Sequence, residues 1–320
     1  MPLLAGSESF VLLLCLAVFL VFAPVAPGFV SPGNFANILV ACLPLLVLAT
    51  GQTLVLITAG IDLSAAAVIG LGSVLGSLVM GGEAGWLRGS PLAVPVAVAV
   101  MLGTGALVGF LNGVCIALLR MPAFMVTLTS MMFFSGLAVW LAKRAVDAET
   151  IYNLPPAFLR IGHQTGLAVL LVGLAVLFGH LLLTRTLIGR WLHAVGHNPR
   201  ASLISGVPVA GVTIAAYVLS GVYAALASLL LTARLETGSP NHGKFLLLDI
   251  IGAAVIGGTS LFGGKGKVLW TIHGVLFLAL LGNGLNLLNV SDFLITIIKG
   301  GVILLAALLD GWRNRILRGS

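Results

Sequence analysis

Apolar runs of membrane-spanning length recur from one end of this 320-residue chain to the other. A helix crossing the bilayer core needs about 20 mainly apolar residues, because no water is present there to satisfy exposed backbone N–H and C=O groups. Such runs lie at residues 10–30, 35–58, 63–80, 91–119, 124–142, 165–184, 209–232, 248–262, 268–288 and 293–309. Hydrophobic residues make up 59% of the chain and charged residues 8%, against roughly a quarter charged in a soluble domain. No polar stretch is long enough to fold as a separate aqueous unit. The expected fold class is an all-α membrane protein of about ten transmembrane helices, a single domain over 1–320. The runs after Gly60 and Asp249 are short and glycine-rich enough to be broken or re-entrant helices.

The net charge of +7 does not point to nucleic acid, since the basic residues are scattered between apolar runs and form no stripe beside aromatics. They fit a topology. If the chain starts inside, the nine residues Arg120, Arg185, Arg190, Arg200, Lys265, Lys267, Arg313, Arg315 and Arg318 face the cytoplasm. Six face outward: Arg88, Lys143, Arg144, Arg160, Arg234 and Lys244. The positive-inside rule therefore favours cytoplasmic termini and a multi-pass protein embedded in membrane lipid. The start of the chain lacks the basic region of a signal peptide, and Pro24 and Pro27 spoil the nearest cleavage site, so the first span is expected to be retained. Cys15, Cys42 and Cys115 all fall in spans, too separated for a disulfide framework or a four-ligand metal site.

Two pairs of matches hint at internal duplication. AAVIG occurs at 66–70 and 253–257, each followed by Ser-x-x-Gly, and Asn-Gly at 112 and 283 precedes FMVTL at 124 and FLITI at 293. The paired spans run in opposite directions in this topology, as two inverted repeats would. The 41 glycines imply close approach of helix backbones and also permit kinks.

Ionisable groups in or near spans are few, so each is a candidate for the translocation path or for a structural bond. Asp62, the only charge in GQTLVLITAGIDLSAAAVIG, can cap the following helix or line a route; Ser64 is the other cap candidate. Lys299 lies within its span and either pairs with Asp249 or backbone carbonyls or takes part in gating. Gln52, Thr53, Asn112, Asn283 and Asn286 can exchange hydrogen bonds with a neutral polar solute, or can bond helix to helix.

Between two spans lies GRWLHAVGHNPRASLISGVPVAG. Asn198-Pro199 can start a short helix and Gly206 with Pro208 can end it, giving a surface helix of two turns. Such a piece suits the docking of a motor domain. A plain amphipathic linker has the same composition.

The residues also resemble a family: the permeases of ABC sugar importers of the ribose, xylose and galactofuranose type, over nearly the whole chain. GQTLVLITAGIDLS resembles the family's G-x-T-x-V-(I/L)-x-x-G-G-I-D-L-S block, and AVGHNPRASLISGVPV its A-x-G-x-N-x-x-A-A-x-x-S-G-I segment. LDIIGAAVIGGTSLFGGKGKVLWTIHG is similar to its long L-D-A-I-A-A-V-V-(I/L)-G-G-T-S-L-x-G-G-x-G block, with MPAFMVTL, NGLNLL and IIKGGVILLAALLD matching in order. The resemblance implies two inverted halves, a second permease subunit, an ATP-binding cassette ATPase that uses ATP and Mg²⁺, and a periplasmic sugar-binding protein at the inner membrane. It also implies that the segment at about 189–208 couples to the ATPase, through Gly196, Asn198, Ala201, Ser205 and Gly206. The chain departs from the pattern at Ala59, where a Gly is usual, at Ala65, Ala66 and Ser202, and at Leu247, a position often acidic.

Nothing in the sequence assembles a catalytic constellation or a metal site. GGTSLFGGKGK is not a phosphate-binding loop, because Lys265 is followed by Gly266 where Ser or Thr must hold Mg²⁺, and the first glycine is out of register. His193 and His197 have no third ligand beside them. Hydrolysis of ATP is left to a partner, with no cofactor bound by this chain. The alternative, an ion-coupled secondary transporter of a small polar solute, needs membrane-embedded carboxylates or histidines to bind the ion, and Asp62 and Asp249 are thin support for it.

Overall fold

The structure is a computed structural model that describes residues 7–81 and 85–318. Residues 1–6 and 319–320, the chain ends whose cytoplasmic placement the charge pattern favours, lie outside the described residues. Among the described residues every regular element is a helix, and one isolated antiparallel bridge joins Ile151 to Gly238.

The helices are α1 (Ser7–Val25), α2 (Pro32–Ile57), α3 (Ala65–Met80), α4 (Ala93–Ala117), α5 (Ala123–Val146), α6 (Pro156–His163) and α7 (Thr165–Arg185). They continue as α8 (Leu187–His197), α9 (Pro199–Ile204), α10 (Val209–Leu235), α11 (Leu247–Gly257), α12 (Val268–Leu287) and α13 (Asp292–Arg318). Six of them, α2, α4, α5, α7, α10 and α12, are long and apolar enough to cross a membrane; Val11–Val25, α3 and α11 are shorter apolar helices. Each apolar run of the sequence thus contains a helix. One boundary is corrected: the run at 248–262 is helical only to Gly257, because Gly258 turns left-handed at φ 108 and the chain continues as a loop to Lys267.

α10 is the centre of the packing, in contact with α4, α2, α3 and α6. Its approach to α4 is set by Gly105, Gly109 and Gly113, one per helical turn on α4. A side chain at Gly109 would stand 2.8 Å from the Val218 Cα, and one at Gly113 2.8 Å from the Ile214 Cα. Small residues on one stripe let the two backbones meet, which in a bilayer replaces the missing hydrophobic drive between helices with dispersion contacts. α1 lies on α12, where Phe22 packs on Gly284. Outward faces of α1 and α7 present Leu12, Leu16, Leu20, Leu170, Leu174 and Phe178, the apolar surface that lipid demands.

The two sequence matches fare differently. AAVIG stands at the start of α3 but at the end of α11, so the same pentapeptide serves two unlike positions. The Asn-Gly pairs stand alike, near the ends of α4 and α12, and FMVTL and FLITI both begin at the second residue of the next helix.

Candidate functional site

Asp62 sits in the turn between α2 and α3, 1% exposed. Its Oδ1 accepts from the Ser64 N–H at 2.9 Å and the Ser64 hydroxyl at 2.6 Å, and its Oδ2 accepts from Ser220 Oγ on α10 at 2.7 Å. Asn112 Nδ2 on α4 donates to Ser64 Oγ at 2.8 Å, and Ser130 on α5 donates to Asn112 Oδ1. Every donor points toward the Asp62 carboxyl, so each bond polarises the next, and a buried acidic group that would otherwise be costly is held by Ser64 and by Ser220 on α10, with Asn112 and Ser130 behind Ser64. Gln52, with its amide turned to suit its neighbours, donates to the Asp62 carbonyl at 3.1 Å and accepts from the Asp62 N–H at 3.2 Å. Tyr217 and Thr127 donate to the Ile61 carbonyl at 3.4 and 3.1 Å. Of the two cap candidates Asp62 makes the bonds, whereas Ser64 makes no side-chain cap bond. The turn is a junction of α2, α3, α4, α5 and α10.

The other candidates sit apart from it. Asn283 on α12 exchanges amide bonds with Asn34 on α2 at 2.8 and 2.9 Å, and Asn34 also donates to the Phe29 carbonyl. Lys299 on α13 pairs with Asp249 on α11 at 2.6 Å, the pairing that leaves neither charge alone within a span. Thr53 and Thr271 share a hydrogen bond at 2.6 Å. These amides and charges fasten helix to helix.

The 189–208 segment folds as two helices broken at Asn198. His193 on α8 faces the Gly189 carbonyl at 2.9 Å and the Gly266 carbonyl at 3.2 Å, so its ring ties α8 to the loop before α12. Asn198 Oδ1 caps α9 by accepting from the Ala201 N–H at 3.0 Å. Gly206 ends it at φ 81 with nothing near where a side chain would go, a position that costs an L-residue roughly 1–2 kcal/mol. α9 has six residues, a shorter helix than the two turns expected. Ser202 is its buried residue, and Leu203 and Ile204 are 66% and 88% exposed beside Ala201 and Ser205. The capped helix thus carries two adjacent exposed aliphatics.

Gly196, at the end of α8 just before α9, packs against the end of α2. A Cβ there would overlap the Ile57 carbonyl oxygen at the end of α2 and stand 2.7 Å from Gly264 N, which itself donates to Ile57 O at 2.8 Å. Backbone cannot yield as a flexible side chain can. Gly196→Ala is therefore expected to separate α8 from α2 and to lower the amount of folded protein in the membrane several-fold, measured by fluorescence-detected size exclusion; unchanged yield and profile would show that this junction is loose. Ala59, where the sequence departs from a usual Gly, adopts φ 61, a left-handed backbone that explains why Gly is usual there.

Residues 34–307 match the family described as "Branched-chain amino acid transport system / permease component". The ribose import permease of Escherichia coli strain K12 is 36% identical over 311 residues, covering 96% of this chain and 94% of the relative. That of Bacillus subtilis strain 168 is 37% identical over 290 residues, covering 89% and 86%. The xylose transport system permease of E. coli K12 is 30% identical, covering 94% and 90%. The chain belongs to the ABC-importer permease family. No solved structure matches it.

The permease is thus a multi-pass membrane transport subunit and not an enzyme, as its relatives are. Among the described residues no three of His, Cys, Asp and Glu come together as metal ligands would. Of the predicted residues, Asp62 and Asn112 are brought together in one network; Asn283, the Asp249–Lys299 pair and the 196–206 segment occupy three other places. Sequence reading missed Asn34, Ser130, Tyr217 and Ser220. The first could have been found as an amide in the first turn of a span, but the others are ordinary hydroxyls in apolar runs and carry no local signal.

Proposed function

We propose that this permease is the membrane-spanning subunit of an ATP-driven importer that carries a pentose- or hexose-like sugar delivered by a periplasmic sugar-binding protein. It works with a second permease subunit and with an ATP-binding cassette ATPase, which consumes ATP and Mg²⁺. The reading puts about ten crossings in the inner membrane as two inverted halves, with both termini and the 189–208 segment cytoplasmic. The like placement of Asn112 on α4–α5 and Asn283 on α12–α13 supports the two halves.

The observation that carries the proposal is α9 itself. It is a capped helix with Leu203 and Ile204 exposed, and it is joined through Gly196 to the end of α2, five residues before Asp62. A force applied to α9 reaches the buried junction of five helices through backbone contacts alone. Gly196, Asn198, Ala201, Ser205 and Gly206 are the coupling residues in this reading. The names of the relatives support a sugar as cargo, and ribose, carried by two of those above, is the first to try.

The test is the ATPase rate of the permease reconstituted with its ATP-binding subunit. Liganded ribose-, xylose- or galactose-binding protein is expected to raise the rate severalfold. A response confined to a branched-chain amino-acid-binding protein would overturn the sugar assignment.

A further inference from the structure

Residues 236–246, between α10 and α11, are not a surface loop. α10 is registered against α3 by Ser220 on Asp62, by Ser228 Oγ on the Ile69 carbonyl at 2.7 Å and by Thr232 Oγ1 on Ser73 Oγ at 2.8 Å. Glu236 closes α10 in the left-handed region at φ 56, and the chain then turns back along α3. Gly238 lies against Ser77, the Ser239 N–H donates to Ser73 Oγ at 3.1 Å, Pro240 lies against Gly70, and Gly243 stands where a Cβ would be 3.0 Å from the Ala66 Cα. His242 braces the descent, with Nδ1 3.2 Å from Ser73 Oγ and Nε2 3.3 Å from Thr237 Oγ1.

The contacts run in order from Ser77 to Ala66, which along α3 is about 16 Å at 1.5 Å per residue. By the same register Ala66 is level with roughly residue 225 of α10, near the midpoint of that helix. The segment descends about half the depth of the bundle before α11 begins. That is why α11 needs only 11 residues.

Irregular backbone at membrane depth is tolerated only where protein covers it or where it lines a water-filled cavity. Ser239, Pro240 and Gly243 are buried against α3, but Asn241, Lys244 and Phe245 are exposed, Phe245 by 85%. A carboxamide and an ammonium at that depth do not face hydrocarbon. The exposed Glu149, bonded to Lys143 at 3.1 Å, lies near enough to both that its carboxyl is held below the usual range, first by Lys143 and then by Asn241 and Lys244. The amides that the sequence suggested for a solute route, Asn112 and Asn283, are instead occupied with helix-to-helix bonds.

We propose that residues 241–245 line the outer half of the solute path, with Asn241 and Lys244 offering hydrogen bonds and the Phe245 ring an apolar platform to a hydroxyl-rich solute of sugar size. The nature of the solute rests on the sugar-importer reading; the aqueous lining does not. In sealed cells, with Cys15, Cys42 and Cys115 replaced by Ser, Asn241→Cys and Phe245→Cys are expected to react with a membrane-impermeant methanethiosulfonate added outside. The rate should exceed that of Leu174→Cys, on the outward apolar face of α7, at least tenfold. Rates equal to the Leu174→Cys control, or disulfide formation between two Phe245→Cys copies in place of labelling, would overturn the lining. If Phe245→Cys fails to insert, Lys244→Cys carries the same expectation.

In the assembled transporter, Phe245→Leu and Asn241→Ala are expected to raise the half-saturating sugar concentration about tenfold, and Phe245→Tyr to retain transport. Unaltered half-saturation in both Phe245→Leu and Asn241→Ala would remove them from the solute's path. Protection of the labelled cysteines by some other solute and by no sugar would keep the lining and sink the sugar reading. Normal sugar transport with unreactive cysteines would do the opposite.

Discussion

Gly206→Val is expected to abolish transport while the permease accumulates in the membrane at its normal level. The left-handed backbone at φ 81 is open to Gly and strained for a β-branched residue, and the space around it is empty, so the strain has no clash to spread it. It falls on α9, six residues held at one end by the Asn198 side chain and at the other by the Gly206 turn. Losing the turn unwinds the piece that presents Leu203 and Ile204. Ala201→Glu tests the same face without touching its fold: an acid in the first turn suits a helix, so any loss reports on docking. Both variants are expected to lose at least tenfold in ATPase co-purification and in transport. Full transport by both at normal expression would reduce the segment to a linker.

The second large effect is expected at Asp62. Asp62→Leu keeps the branching at Cγ but puts two methyl groups where the oxygens stood, leaving the Ser64 N–H, the Ser64 hydroxyl and the Ser220 hydroxyl facing an apolar group. Each buried donor left unsatisfied costs about 1–3 kcal/mol. The thermal midpoint in detergent should fall by at least about 5 °C, or the protein should fail to leave the membrane as a single species. Asp62→Asn keeps an oxygen for the Ser64 hydroxyl and lets the Ser220 hydroxyl rotate to accept, so its loss should be smaller. A midpoint for Asp62→Leu equal to the native one would show that the network contributes nothing to stability.

What the sequence made legible follows from where each signal resides. A spanning helix is written in its own apolar residues, and the two ends of α9 are written in Asn198 and Gly206, eight positions apart. The partners of Asp62 are not, because Ser220 is 158 positions away and is one hydroxyl among many until α10 is laid on α3. α6 escaped notice for another reason: eight residues carrying Arg160 and His163 read as loop until Phe158 is seen buried beneath it. The descent of residues 238–243 was equally hidden, since only the register of α3 against α10 gives Gly70 and Ala66 a depth. Short apolar repeats misled at AAVIG, where helix-compatible residues suit the start of one helix and the end of another, whereas both Asn-Gly pairs stand near the end of a helix.

The central claim is that ATP hydrolysis by a partner, delivered through α9, drives this permease. Its most direct test is uptake of labelled ribose, and in parallel of xylose and galactose, into proteoliposomes holding the permease, the ATP-binding subunit and the matching sugar-binding protein. The account predicts uptake of at least one sugar that requires ATP, survives ionophores that collapse proton and sodium gradients, and vanishes in Gly206→Val. Uptake that persists without ATP and disappears with the ionophores would contradict it.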